Sequence, residues 1–414
     1  MRAAPSRRLR PRLALLAVAA AAAAAMVTSA DGRDHDRPGF LAARLQASLA
    51  GIRSQDSLPG VVAAVVRPEG ALVRVSTGFS DLESHTPMPQ DAAMPAGSIG
   101  KQFFAMVALA LEHDGRVDLD APISRWLSDR PWFTRVPNAS ALTLRMLLAH
   151  RGGLPDHRDD PRFHTDVKER FARRPYDPDF RFTPEELIGY ILDAPPLFAP
   201  GADFKYSETG YILAGVALER ACGCIYYDEL ARRFLKPLKL TATVPATGRV
   251  HVRLAQGYIG SRIPEFPART LEHGKLRFSP ATEWTGGGLF SSAADLARWS
   301  LLLYEGRAAP WPYLDELLGD TTRTMPRTTG DSYGLGVRIW STELGPAYGH
   351  GGEFPGYFSF AVYFARYRTA VALQTNTAAT SADFLKAAAT TLMRTLIETS
   401  CGRGNRSGAP RCAS

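Results

Sequence analysis

The stretches of this chain that read as β-strand lie at its two ends, and the stretches that read as helix lie between them. Gly60–Arg67 and Ala71–Thr77 are β-rich runs split by Pro68-Glu69-Gly70, which marks a hairpin. Tyr333–Trp340, Phe358–Phe364 and Thr369–Gln374 form the second group. A helix is expected outside each group. Pro38–Ile52 sets Phe40, Leu41, Leu45, Leu49 and Ile52 on one face, and a last helix runs from about Ala382 to Glu398, with Gly402 just past it. Between the groups, Lys101–His113 is apolar nearly all round, the pattern of a central buried helix. Helical segments broken by Pro/Gly loops follow from about Asp120 to Arg249, including Tyr211–Ala221 and Tyr227–Leu235, and Ala293–Leu303 is another. The economical fold is α+β. One antiparallel sheet is built from both chain ends (about 38–100 and 290–398) and flanked by the terminal helices, beside an all-helical lobe over about 101–289. A cleft between two such lobes is a natural active site. Asp156–Asp179, charged and poor in aliphatics, reads as an exposed excursion.

The 414 residues are ample for a buried core. The net charge of +8 invites a nucleic-acid partner, but Arg2, Arg7, Arg8, Arg10 and Arg12 sit in the first thirty residues, which hold no acid. Without those five charges the balance is +3, which gives no support for phosphate binding. The arginines precede an apolar run, Leu13–Val27, and Thr28-Ser29-Ala30 fits a cleavage site. Residues 1–30 therefore read as a signal peptide, and the mature domain, about 31–400, as periplasmic or secreted with no stable membrane insertion. Ser6-Arg7-Arg8 is a fragment of a twin-arginine signal. Cys222, Cys224, Cys401 and Cys412 allow three pairings. Local bonds, Cys222–Cys224 and Cys401–Cys412 pinning the tail 401–414, are one expectation; free buried thiols are the other.

Three short stretches carry candidate chemistry. Ser98-Ile99-Gly100-Lys101 sets a serine and a lysine on one face of a helix start. Serine needs a base to become a nucleophile. Burial disfavours an ammonium, and arginine could not replace lysine because it does not deprotonate. The chain has seven lysines against 42 arginines, and of the lysines only Lys101 has a serine three residues before it. The plain alternative is a helix-capping serine beside a surface lysine. Next, Tyr206 in Lys205-Tyr206-Ser207-Glu208-Thr209-Gly210-Tyr211 stands before a helix, where a phenol can shuttle a proton. The alternative is a packing aromatic. Third, Gly349-His350-Gly351-Gly352-Glu353 lets backbone approach a ligand and leaves His350 room to donate to it. The alternative is a turn histidine in a glycine-rich hairpin.

Together, Ser-x-x-Lys, Tyr-Ser-x and His-Gly-Gly in this order resemble the serine β-lactamase and penicillin-binding-protein superfamily, in its class C β-lactamase, D,D-peptidase and esterase branch. Leu142–His150, Gly152-Gly153-Leu154-Pro155, Gly115–Asp120 and Gly287–Ser292 resemble it too, so the likeness runs from about residue 38 to 398. The resemblance implies a cofactor-free, monomeric hydrolase with no metal, acting on a small-molecule or peptide acyl substrate. Ser98 would be the acylated nucleophile, Lys101 its base or proton relay, and Tyr206 the donor to the leaving group. Backbone N–H groups of Ser98 and Glu353 would form the oxyanion hole, and Glu208, His350, Gly351 and Gly352 would bind substrate. One position departs from the pattern: Glu208 stands where asparagine is usual. A carboxylate cannot donate to a substrate carbonyl. It could instead pair with Lys101 and hold it charged, which opposes its use as a base and favours an acyl substrate other than a β-lactam or peptide.

The sequence allows three other readings. Gly330-Asp331-Ser332-Tyr333-Gly334 matches the G-x-S-x-G elbow, but that elbow needs a strand before it and a helix after, and Leu335–Trp340 reads as a strand. His150, Asp156, His157, Asp159 and Asp160 cluster in sequence without zinc-hydrolase spacing. A non-enzymatic binder of cell-wall peptide, with Glu208 marking lost turnover, is the third alternative.

Overall fold

The computed structural model describes residues 38–173, 175–260, 266–308, 312–319 and 331–401. The strands are β1 (Gly60–Val66), β2 (Leu72–Asp81), β3 (Thr86–Pro87), β4 (Ala93–Pro95), β5 (Val244–Pro245), β6 (Leu271–Glu272), β7 (Lys275–Leu276), β8 (Leu289–Ser292), β9 (Ser332–Tyr333), β10 (Arg338–Thr342), β11 (Gly345–Phe354), β12 (Tyr357–Phe364) and β13 (Thr369–Thr375). Eight of them form one antiparallel sheet in the order β3-β2-β1-β13-β12-β11-β10-β9. The two chain ends therefore meet at the β1–β13 pairing, with Val62 opposite Gln374 and Ala64 opposite Ala372.

β1, β12 and β13 are buried on both faces, which is why they read as nearly unbroken apolar runs. On one face, Val61, Ala63, Val65, Val371, Leu373 and Phe360 pack against the two terminal helices, Pro38–Gln55 and Ala382–Cys401. Leu41, Leu45, Leu49 and Ile52 supply the first helix's stripe, and Leu385, Leu392 and Leu396 the second's. On the other face, Val62, Ala64 and Val66 join the larger core with Phe103, Phe104, Met106 and Trp299. The helix Gly100–His113 lies within that core; Phe103 stacks on Trp299 with ring centroids 4.0 Å apart.

The middle of the chain is mostly helical, but not wholly so. β4, β8 and β5 form a small sheet of their own, and β6 and β7 a short hairpin. The small sheet matters for function because β4 leads directly into the turn that carries Ser98. Asp156–Asp179 is largely exposed, as expected, but it is anchored to the core. Asp156 and His157 are buried, and Pro161–Ala172 is a helix whose inner face, with Phe163, Val167 and Phe171, packs on the core. Its apolar content is aromatic rather than aliphatic, so an aliphatic count missed it.

The expected signal peptide, residues 1–30, lies outside the described residues, as does Cys412 and with it the Cys401–Cys412 pairing. Cys222 and Cys224 are joined by a disulfide. No helix among the described residues is long and apolar enough to cross a membrane.

Candidate active site

The serine turn is built on glycine. Gly97 opens the single turn Gly97–Ile99 with φ of +54°, and a Cβ there would lie 2.6–2.9 Å from the Glu353 backbone. From the other side, a Cβ on Gly352 would lie 1.9 Å from the Ala96 carbonyl oxygen. The serine turn and β11 can touch backbone to backbone only because neither residue has a side chain. β10 pairs with β11 no further than Gly349, so the strand runs on past its neighbour toward the turn. This contact sets the Ser98 and Glu353 backbones side by side, as an oxyanion hole requires.

Lys101 sits in the first turn of the helix Gly100–His113 and is fully buried. A cation there faces the positive end of the helix dipole and needs compensation. Its Nζ donates to Glu208 Oε2 at 2.6 Å, to the Gly286 carbonyl at 2.6 Å and to Ser98 Oγ at 3.1 Å. Ser98 Oγ in turn donates to Glu208 Oε1 at 3.1 Å. Glu208 begins the helix Glu208–Cys222, where a negative charge is favoured. Ser207 caps that helix by accepting from the Gly210 N–H, and the Glu208 N–H donates to Asp156 Oδ2 at 2.9 Å. Burial pushes the Glu208 carboxyl up, but Lys101 and then Arg158 outweigh it, and the group stays below its usual range.

Tyr206 is also present. Its ring lies against His150, with centroids 4.1 Å apart, and Lys101 Nζ is 5.0 Å from its centre. Its hydroxyl is buried beside Ser98 without meeting the geometry of a hydrogen bond, and has no partner among the described residues. Burial, then the charge of Glu208, pushes the phenol well above its ordinary range. The resting group is a proton donor.

His350 lies beside Tyr206, with ring centroids 6.1 Å apart. It is a buried residue in the middle of β11 rather than a turn residue. Its Nδ1 lies 2.5 Å from the Gly351 carbonyl and its Nε2 2.9 Å from the Tyr333 hydroxyl. A carbonyl only accepts, so Nδ1 carries the hydrogen and Nε2 accepts from tyrosine. Both nitrogens are engaged, and burial holds the ring neutral. His350 braces the strand that meets the serine turn.

The residues of the metal reading go to separate partners. His150 Nδ1 accepts from the Ser207 N–H and His157 Nδ1 meets Thr209 Oγ1. Asp159 pairs with Lys205 and Asp160 with Arg162. Ser332 lies on the edge strand β9, and β10, not a helix, follows it.

Four residues at the site were not read from the sequence as part of it. Arg158 Nη1 is 3.7 Å from Glu208 Oε1, Gly286 supplies the carbonyl to Lys101, and Tyr333 holds His350. Glu283 has its carboxyl pushed up to about 7, first by burial and then by the charge of Glu208. Nothing local in the sequence marks them, since each reaches the serine only through the fold. Next to these groups lies a cavity of about 630 Å³. Phe163, Phe171, Phe180, Phe182, Phe278 and Phe354 wall it, while Tyr206, Glu208, Glu283 and Glu353 reach its surface.

A serine held by a buried lysine at the junction of an antiparallel sheet and a helical region defines a class: serine hydrolases with the β-lactamase/transpeptidase-like fold. The profile of the Beta-lactamase family matches residues 40–392, and the chain belongs to that family. It is 29% identical to Esterase EstB of Burkholderia gladioli over 75% of this chain and 79% of the esterase. It is 24% identical to the D-aminopeptidase of Brucella anthropi over 77% of this chain, but spans only 56% of that longer protein. The crystal structure of a D-amino acid amidase from Ochrobactrum anthropi SV3, complexed with L-phenylalanine amide, superposes with a TM-score of 0.70 at 25% identity, covering 86% of this chain and 98% of that one. The enzyme is a serine hydrolase.

Proposed function

We propose that this chain is an exported acyl hydrolase in which Ser98 is acylated by an ester or by the amide of a D-amino acid, with Lys101 and Tyr206 handling the protons. The observation that carries the reading is the hydrogen-bonded Ser98–Lys101 pair, with the lysine sealed from solvent and the serine backed by the Glu353 backbone. Attack by Oγ would place the oxyanion between the N–H groups of Ser98 and Glu353. Tyr206, a neutral phenol with an unengaged hydroxyl, would protonate the leaving group.

The aromatic cavity supports a substrate whose acyl side carries a bulky apolar group. The esterase and amidase relatives support the choice of bond. Export rests on the sequence pattern of residues 1–30, and a monomer acting without cofactor remains part of the proposal.

The test is a panel of p-nitrophenyl esters of rising acyl size, D-phenylalanine amide, a chromogenic cephalosporin and a D-Ala-D-Ala peptide, read with intact-protein mass spectrometry. Turnover should favour aromatic acyl groups, an acyl adduct should map to Ser98, and Ser98→Ala should abolish both. A family-like binder without turnover would show neither hydrolysis nor adduct on any probe.

A further inference from the structure

We infer that Glu208 is a catalytic residue: its carboxylate takes the proton from Ser98, while Lys101 stays an ammonium that orients the two. The inference rests on the reading of Ser98 as nucleophile and goes beyond it.

Lys101 Nζ has three acceptors around it, Glu208 Oε2 and the Gly286 carbonyl at 2.6 Å and Ser98 Oγ at 3.1 Å. An ammonium has three hydrogens and no lone pair, and so fits this cage completely. A neutral amine could accept from Ser98 with its lone pair, but it would leave the buried Glu208 carboxylate with Arg158, 3.7 Å away, as its remaining cation. With Lys101 charged, nitrogen offers the serine proton nowhere to go. The serine hydrogen points instead at Glu208 Oε1, 3.1 Å away, within reach for transfer. Backbone fixes this geometry, because Glu208 begins its helix with its own N–H tied to Asp156.

The charges facing Glu208 fit the role. Lys101 and Arg158 attract a negative charge there, while Asp156, Glu283 and Glu353 oppose it. His157, driven down to about 4 by burial, and Tyr206 are neutral neighbours. The result is a carboxylate ionised at any ordinary pH. Its conjugate acid gives the proton back readily, as a relay needs.

The steps balance. Attack forms the bond from Oγ to the carbonyl carbon, breaks Oγ–H and moves the carbonyl pair onto oxygen; the proton goes to Glu208 Oε1. Collapse breaks the bond to the leaving nitrogen or oxygen, which takes a proton from Tyr206, and Tyr206 is refilled from Glu208. Water then forms the second bond to carbon and gives Glu208 a proton. Collapse breaks the carbon–Oγ bond, and Oγ takes that proton back.

The experiment is the pH profile of kcat/KM and of single-turnover acylation with p-nitrophenyl butyrate, for the wild type, Glu208→Gln, Glu208→Asp and Glu283→Gln. Glu208→Gln should lose on the order of 100- to 10,000-fold in acylation at pH 6, with Glu208→Asp recovering part of it. With Glu283→Gln removing the carboxyl near 7, the acid limb should fall below pH 6, as for a carboxylate under its usual 4.5. Glu208→Gln acylating within threefold of wild type, or a limb above pH 6 in Glu283→Gln, overturns the inference. Should Glu208→Gln fail to fold, the limb alone decides. Failure of the underlying reading looks different: Ser98→Ala would keep its turnover and wild type would carry no adduct at Ser98.

Discussion

Glu283 holds its proton up to about pH 7 in the folded protein, because burial and the neighbouring Glu208 charge both resist a second anion. The unfolded chain gives up that proton near the ordinary value of 4.5. Between those values the folded state binds more protons than the unfolded one, so stability contributed at this site falls as pH rises through the window. Glu283→Gln should therefore raise Tm at pH 8 by a few degrees, leave it nearly unchanged at pH 4, and flatten the dependence between; thermal melts across pH 4–8 check this. This carboxyl also marks the limit of what single residues disclose. Ser98 and Lys101 could be paired from sequence because a three-residue spacing is local geometry. The consequence of Glu208 could be stated as well, since a carboxylate in an asparagine's place has fixed chemistry, and the ion pair at 2.6 Å joins residues 107 apart. Glu283, Arg158 and Gly286 carried no such signal. Their importance is a matter of what the fold brings beside them.

The element on which the site turns is β11. Its glycine run reads equally as a hairpin turn or as a strand, and sequence alone leaves that open. The structure makes it ten residues of strand, with His350 inside it and Gly352 against the serine turn. Residues two apart share a face of a strand, so His350 lies on the face that brings Gly352 to the serine turn, with its ring 6.1 Å from that of Tyr206 and its Nε2 held by the Tyr333 hydroxyl. Gly352→Ala puts a methyl 1.9 Å from the Ala96 carbonyl oxygen, a contact between two backbones that no rotamer can relieve. The strand and the turn must separate. Overpacking of this kind costs about 1–3 kcal/mol, and acylation should fall far more than stability does, since the hole beside Ser98 opens. Chemical denaturation and burst kinetics on one preparation separate the two effects. The helix Pro161–Ala172 gives a second lesson at this scale. Its aromatics were hidden among charges because its outward face is strongly polar, and only their convergence with Phe278 and Phe354 reveals a wall.

At the scale of the molecule, the order of strands and helices was readable because each terminal helix and strand group is amphipathic or wholly apolar in its own right. The small β4-β8-β5 sheet was not, since two- to four-residue strands leave no period to detect. Joining the ends has a consequence. β13 lies in the centre of the sheet and is covered by the last helix, so the smaller of the two core clusters waits on Ala382–Cys401. A chain ending at Ala379 keeps every strand but uncovers the surface now filled by Leu385, Leu392, Met393 and Leu396. At about 1.5–3 kcal/mol for each buried side chain, that loss is about 6–12 kcal/mol, comparable with the whole stability of a typical domain, about 5–15 kcal/mol. The truncated chain should lose cooperative melting and elute as aggregate on size exclusion. Opening the Cys222–Cys224 bond should not, although it too is a covalent feature of the fold. It closes a ring across a separation of two residues, and so short a loop restrains the unfolded chain by about 1–2 kcal/mol. Melting curves of the truncation beside a Cys222→Ser, Cys224→Ser double variant test whether stability resides in the meeting of the two ends; a cooperative transition in the truncated chain would place it elsewhere.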